Sequence, residues 1–406
     1  MVSSDTRSRL CCSEADCGKS VPRDFRGYSC PACGNLLQVV TDPGVDSSER
    51  RKQLWRERRA SNDLLDASGV WRFREFLPYS PGDAVYSLSE GNVPLLPGQK
   101  TAQYGGVERL WFKHLGWNPT GSFKDLGMTV AVTEARRQGA KVVACASTGN
   151  TAASMAAYAA RAGLRARVYL PRGGAAGPKL AQALDFGAEI QQVDGNFDDA
   201  LRQLMAEPDP GIYFLNSINP FRIEGQKTAI FELLDQMDWN PPDFIVLPGG
   251  NLGNSAAFGK AIEELAAAGL LPRVPRLVIV QAQGSNALVR TVRAGGAALE
   301  VVPNPQTLAS AIRIGEPKSW KKAVRALRFT NGLVLDVTDD EIIAAKQVLG
   351  RDGIGSEPAS ATTLAGVRRL AAEGLIDRAA TAVAFLTGHA LKDTDAILNS
   401  VGRQDA

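Results

Sequence analysis

The chain predicts an α/β protein, with mostly parallel sheets covered by helices behind a small cysteine-bearing segment at the N-terminus. Three observations predict it. Short runs that are apolar throughout alternate with longer helical patterns from about residue 110 onward. Strands buried on both faces are what a parallel sheet between helix layers requires. Loops of Ser, Thr, Gly and Asn follow several of these runs and open into helices, as in a sheet whose ligands bind at the carboxyl ends of its strands. Five of the six cysteines, Cys11, Cys12, Cys17, Cys30 and Cys33, crowd the first segment.

In chain order, Cys30-Pro31-Ala32-Cys33-Gly34 reads as a knuckle of the zinc-ribbon kind, with two thiolates on a tight turn sharing one metal. Cys12 and Cys17 form a second, looser pair, so a structural zinc on Cys12, Cys17, Cys30 and Cys33 is expected, with Cys11 as the substitute for Cys12. The alternative is a ribbon that kept its thiols but holds no metal. Disulfides are the poorer explanation in a reducing cytosol. Cys145 stands alone in an apolar run and reads as a small buried residue. The ribbon-like segment spans 1–42, and a linker and charged helical segment spans 43–85. Arg50, Arg51, Lys52, Arg56, Arg58 and Arg59 read as the solvated face of that helix. An extended lead-in at 88–97 and a strand at 110–113 feed the next loop. Further strands are expected at 142–144, 166–170, 189–193, 244–247, 277–280 and 382–386.

Three loops carry chemistry. Lys124 lies in Asn118-Pro119-Thr120-Gly121-Ser122-Phe123-Lys124-Asp125, after a turn and before an apolar run, which places it in the first turn of a helix. A lysine amine is a nucleophile only when unprotonated, and the field at a helix start disfavours the ammonium and favours anions. On spacing alone an ordinary surface lysine near a helix start is the favoured reading, and the two loops that follow reverse it. The second loop, Ala146-Ser147-Thr148-Gly149-Asn150-Thr151, offers N–H groups and small hydroxyls to an anion. The third is Pro248-Gly249-Gly250-Asn251-Leu252-Gly253-Asn254, whose glycines let backbone approach a phosphate. Neither is a Walker loop or a dinucleotide fingerprint, so nucleotide binding is only weakly supported.

Together these loops resemble the fold-type II pyridoxal phosphate enzymes and, within them, the threonine synthases. The stretches that match are 121–125, 145–154, 248–254, Asn216-Ser217-Ile218-Asn219-Pro220-Phe221-Arg222-Ile223-Glu224-Gly225-Gln226-Lys227-Thr228 and Leu386-Thr387-Gly388-His389-Ala390-Leu391-Lys392-Asp393. The resemblance runs from about residue 69 to the end of the chain. It implies two α/β lobes with the cofactor in the cleft, a large one at 86–135 and 235–406 and a small inserted one at 136–234.

It also implies the roles. Lys124 forms the Schiff base with pyridoxal 5'-phosphate and then shuttles protons along the substrate. Asn150 lies beside the cofactor's phenolic oxygen, while Gly250, Asn251, Leu252, Gly253 and Asn254 cradle its phosphate. Thr387 faces the ring nitrogen, a hydroxyl where transaminases use a carboxylate. Ser147, Thr148, Thr151, Ser217, Asn219 and Arg222 are the expected contacts to a small phosphorylated amino-acid substrate. Arg222 has a structural alternative, an ion pair with Glu224 or another acid, and Glu224 and Lys227 stay ambiguous between packing and site. His114 and His389 read as structural. The implied reaction is a lyase step of threonine biosynthesis, O-phospho-L-homoserine plus water giving L-threonine plus phosphate. Cysteate synthase-like replacement on O-phosphoserine and amino-acid dehydration are the alternatives. The family's Gly-His-Gly-Leu-Lys stands here as Gly388-His389-Ala390-Leu391-Lys392, and an alanine at that turn demands a less permissive backbone.

Composition agrees with an enzyme rather than a nucleic-acid or membrane protein. The 406 residues carry a net charge of only +3, no apolar run reaches spanning length, and no signal-like segment opens the chain. A cytoplasmic homodimer is the expectation.

Overall fold

In a computed structural model of the chain, residues 7–172, 177–195, 197–206, 209 and 211–395 are described. The first six residues of the cysteine segment lie outside them. The chain divides into two compact units, 1–92 with 124–229, and 93–123 with 230–406.

The first unit holds two sheets. Ser20–Val21, Ser8–Cys12 and Leu37–Thr41 make a small antiparallel sheet in that order. Glu189–Val193, Arg165–Pro171, Val142–Ala146 and Ile212–Phe214 make a parallel one. All five residues of Val142–Ala146 are buried, as an inner parallel strand requires. Helices Lys124–Arg137 and Asn150–Arg161 are tied by Ser154, whose hydroxyl donates to the buried Asp125 carboxylate at 2.6 Å. Helix Pro220–Gln236 touches Lys124–Arg137 backbone to backbone: a Cβ on Gly225 would stand 1.7 Å from the Leu126 carbonyl oxygen. Only glycine permits that crossing.

The second unit is built on a six-stranded sheet, in the order Leu333–Val337, Arg276–Ala282, Phe244–Pro248, Thr381–Leu386, Arg109–His114 and Leu95–Pro97. All pairings are parallel except the last. Val246, Val278, Val280 and Ala384 form its core with helices Asp339–Arg351 and Pro358–Ala372. The former helix begins with a capping box between Thr338 and Glu341.

Every strand expected from the sequence is present, extended by a residue or two at some ends. Five were not expected: the three of the cysteine segment and, in the two larger sheets, Ile212–Phe214 and Leu333–Val337. Ile212–Phe214 is three residues long, and Leu333–Val337 carries an aspartate, Asp336, that is buried against the Asn286 amide. Burial of that polar group is a tertiary fact with no periodic signature. The division into units also differs from the expected lobes. Residues 124–135 group with the four-stranded sheet because the Gly225 crossing and the Asp125–Ser154 bond attach that helix there. Segments 1–42 and 43–85 belong to the same unit, pinned by Arg23, which donates to Glu134 at 2.8 Å and to the Pro78 carbonyl at 2.6 Å.

The reading of the basic run as a solvated face needs correction. In helix Ser48–Arg59, Arg51 is buried over the Phe76 ring and donates to the Gly44 carbonyl at 2.7 Å. Arg58 pairs with Glu75 at 2.5 Å. These guanidiniums turn inward because carbonyls and a carboxylate are waiting for them.

Candidate active site

In the first unit, adjacent parallel strands Val142–Ala146 and Ile212–Phe214 deliver their following loops to one sheet edge. The loops are fastened to each other. The Asn216 amide accepts from Ala146 N at 3.3 Å and donates to Ala146 O at 3.4 Å, extending the ladder by a side chain. Ser147, Thr148, Asn150 and Thr151 are all half-buried there, with Asn150 opening its helix after Gly149 and Ser147 accepting from Gly149 N at 3.3 Å. Lys124 is the first residue of helix Lys124–Arg137 and half-buried. Ser217 is half-buried, whereas Asn219 is fully buried and committed to backbone. Its amide donates to the Phe214 carbonyl at 2.9 Å and accepts from Phe221 N at 2.9 Å, capping helix Pro220–Gln236.

Arg222 is buried, and its Nη1 donates to the Leu215 carbonyl at 3.1 Å while Nε has no partner. No carboxylate pairs with it among the described residues. Glu224, the alternative partner, pairs with Lys227 at 2.6 Å, and Lys227 also donates to the Phe76 carbonyl at 2.7 Å. Burial pulls the Arg222 guanidinium down to about 10, only partly opposed by the Cys145 thiol. A buried cation without an anion is costly, so a site of this kind expects its anion from a ligand.

In the second unit, adjacent parallel strands Phe244–Pro248 and Thr381–Leu386 likewise end at one edge. The loop after the former leads into helix Gly253–Ala267, whose start has no side-chain cap. Leu252 takes φ 63°, a left-handed conformation uncommon outside glycine. Asn254 Oδ1 and Ser255 Oγ are buried with no partner at that helix start. Asn251 is anchored, its Oδ1 accepting from Lys318 N at 2.7 Å. The glycines answer to protein neighbours: a Cβ on Gly249 would lie 2.7 Å from Ile279, and one on Gly250 would lie 3.2 Å from Ile312.

Thr387 sits in a buried polar cluster. Its hydroxyl lies 3.1 Å from Ser360 Oγ and donates to Glu357 at 3.3 Å, and its N–H donates to Ser360 Oγ at 2.8 Å. The expected hydroxyl is therefore backed by a carboxylate that sequence reading missed. A Cβ on Gly388 would stand 2.4 Å from the Glu357 carboxyl carbon, so a larger residue there would push that carboxylate away from Thr387. Phe123, the residue before Lys124, donates its N–H to the Thr387 carbonyl at 2.9 Å. Ala390 opens a short 3-10 turn after His389 and takes no left-handed φ, so the alanine departure costs no strain. His389 Nδ1 accepts from Leu391 N at 3.2 Å, and His114 Nε2 meets the Gly355 carbonyl at 2.9 Å.

In the N-terminal segment, Cys12, Cys17, Cys30 and Cys33 bring their sulfurs within 4.8 Å of one another. Four thiolates around a metal at roughly 2.3 Å stand about 3.8 Å apart, so the set has the dimensions of a tetrahedral site. Cys11 faces Ser20 at 3.6 Å and is no member of the cluster. All six cysteines are free thiols, and Cys145 is buried as expected.

The pyridoxal-phosphate dependent enzyme family model matches residues 86–388. The threonine synthase of Methanocaldococcus jannaschii is 44% identical over 390 residues, covering 95% of this chain and 93% of that protein. The threonine synthase of Synechocystis is 45% identical over 337 residues, covering 82% and 85% respectively. Among solved structures, maize serine racemase superposes with a TM-score of 0.66 at 21% identity, over 77% of this chain and 92% of that one. At that identity the likeness speaks for the fold. The chain belongs to the pyridoxal-phosphate dependent enzymes and, more narrowly, to the threonine synthase family within them. It is a lyase of the fold-type II kind.

The residues present fit that cofactor. An uncapped helix start with an unpartnered Ser255 hydroxyl suits its phosphate, and Lys124, half-buried at the start of its own helix, suits its aldehyde. Sequence reading missed Asp125, Ser154, Asn216, Ser255, Glu357 and Ser360. A buried acid directly after the lysine was the one legible signal among them.

Proposed function

We propose that the chain converts O-phospho-L-homoserine and water to L-threonine and phosphate. The observation that carries this reading is Arg222, a buried guanidinium with an unpartnered Nε and no carboxylate, at the same sheet edge as the Ser147–Thr151 loop. A dehydratase acting on an uncharged hydroxyl has no use for such a cation.

Bound pyridoxal phosphate supplies an electron sink that makes the substrate's α and then β protons removable. Lys124 Nζ takes the α proton and then the β proton, phosphate leaves from the γ carbon, and water adds at the β carbon as protons return to the γ and α carbons. The Asp125–Ser154 bond holds the helix that carries Lys124 against the one that carries Asn150. Asn150 would stand by the cofactor's phenolic oxygen, and Gly250 to Asn254, with Ser255, would hold its phosphate by N–H groups and a hydroxyl. Thr387 would serve the ring nitrogen, its hydroxyl oriented by Glu357 and Ser360. Arg222 and Ser217 receive the substrate phosphate, and Ser147, Thr148 and Thr151 its carboxylate. Asn219 acts here by capping the Arg222 helix.

Zinc on Cys12, Cys17, Cys30 and Cys33 belongs to the same reading, supported by the mutual approach of their sulfurs. So does a cytoplasmic homodimer, supported for the compartment by six unbridged thiols. Light scattering tests the assembly. No described helix is long and apolar enough to cross a membrane.

The test of function is release of phosphate from O-phosphohomoserine with water as sole nucleophile, with threonine identified as product. Release only from O-phosphoserine with sulfite would replace this reading by the cysteate synthase one. Lys124→Ala should abolish both turnover and the visible absorption of the bound cofactor.

A further inference from the structure

Strand Ile212–Phe214 is the edge of its sheet, paired on one side only, with Ala144 opposite Phe214. An edge residue's outward N–H and C=O need partners. For Phe214 a single phenol from the cysteine segment provides both. Phe214 N donates to Tyr28 Oη at 3.1 Å, and Tyr28 Oη donates to the Phe214 carbonyl at 2.8 Å. The Tyr28 ring packs edge-on against Tyr213 and Phe214, with centroids 6.4 Å away in each case. Tyr28 is buried.

The phenol stands where the knuckle puts it. Leu37 N donates to the Tyr28 carbonyl at 2.8 Å, and two residues on, Cys30 N donates to Asn35 O at 2.7 Å to close the knuckle turn. On the other side, Phe214 leads directly to the substrate loop. Leu215 N donates to Ala144 O at 2.8 Å, and Leu215 O receives Arg222 Nη1 at 3.1 Å. Asn219 also donates to the Phe214 carbonyl, at 2.9 Å, and caps the helix on which Arg222 sits. Displacement of Phe214 therefore reaches Arg222 by two short routes, one through Leu215 and one through Asn219.

We propose that Tyr28 is a positioning residue for the 214–222 loop, so that the four-cysteine knuckle, when metal-loaded, sets the affinity of the site for the substrate phosphate. This rests on the functional reading above for the identity of that anion. Phenylalanine would fill the same space, so the hydroxyl's contribution is positional and separable from packing.

The test uses the metal-loaded holoenzyme and Tyr28→Phe. The KM for O-phosphohomoserine, and the Kd for inorganic phosphate by calorimetry, should each rise about ten-fold, the effect of one or two lost hydrogen bonds. The kcat and the cofactor's visible spectrum should hold. Withdrawing the metal from the unsubstituted enzyme with a chelator should give the same rise and add nothing in Tyr28→Phe. A folded variant that merely melts earlier, with KM and phosphate affinity unchanged, overturns the proposal. Should Tyr28→Phe not fold, amide exchange at Phe214 and phosphate affinity before and after metal withdrawal decide instead, and no change in affinity overturns it. Phosphate binding without turnover of O-phosphohomoserine would sink the functional reading while leaving the loop argument to stand or fall on the affinities.

Discussion

Arg222 is costly to the fold, and the proposed function gives that cost a use. Its guanidinium is buried with one carbonyl partner and an idle Nε. Arg222→Gln should therefore leave the unliganded protein's melting temperature equal or higher, since no ion pair is lost. The KM for a phosphorylated substrate should rise about 10- to 100-fold, from lost charge-assisted hydrogen bonds. Parallel thermal melts and steady-state assays check both signs. His114 makes a second residue-level case. It is buried with Nδ1 unpartnered, and burial pushes it below the ordinary imidazole value, with the Gly355 carbonyl opposing. It is therefore neutral in the folded chain and takes up a proton near 6.5 when unfolded. Its contribution to stability is complete above that pH and is lost as pH falls toward the depressed folded value. Urea midpoints at pH 7.5 and 5.5 should fall further apart in the unsubstituted protein than in His114→Gln, and equal drops would remove His114 from the acid response.

At the scale of elements, placement of the reactive groups depends on how three helices meet. Gly225 lets helix Pro220–Gln236 rest on the backbone of helix Lys124–Arg137, and Ser154 ties helix Asn150–Arg161 to Asp125. Gly225→Ala would drive its Cβ to 1.7 Å from Leu126 O, so the helices must part. A loss of about 3 kcal/mol in urea unfolding is expected, at the upper end for overpacking because the obstacle is backbone. A large fall in kcat/KM should accompany it. Gly350 gives the opposite sign. It lies in helix Asp339–Arg351 with open space around a would-be Cβ and no left-handed φ, so Gly350→Ala should stabilise by about 0.5–1 kcal/mol. Equal effects at the two glycines would refute the steric argument.

For the whole molecule, the cysteine segment is part of the first compact unit rather than an appendage. Arg23 connects it to Glu134 on the lysine helix and to Pro78, Arg26 to Gln138 and Tyr28 to Phe214. One metal ion per chain is expected by elemental analysis, and chelation should lower the first thermal transition by several degrees. A Cys30→Ser, Cys33→Ser double variant should bind no metal and show no response to chelator. Metal-free protein that melts like the loaded form would make the knuckle a degenerate one.

The sequence by itself determined the α/β class, the order of most strands and of the loops, the lysine at a helix start and the crowding of five cysteines in the first segment. Each is local, written in short-range periodicity, turn chemistry or spacing. Tertiary structure chose Cys12 over Cys11, because alternate residues of strand Ser8–Cys12 point to opposite faces. It joined the lysine helix to the four-stranded unit, paired Glu224 with Lys227 so that Arg222 was left without a carboxylate, and set Glu357 behind Thr387. These contacts join groups distant in sequence or choose among near neighbours, and only packing decides which donor or acceptor each buried polar group meets.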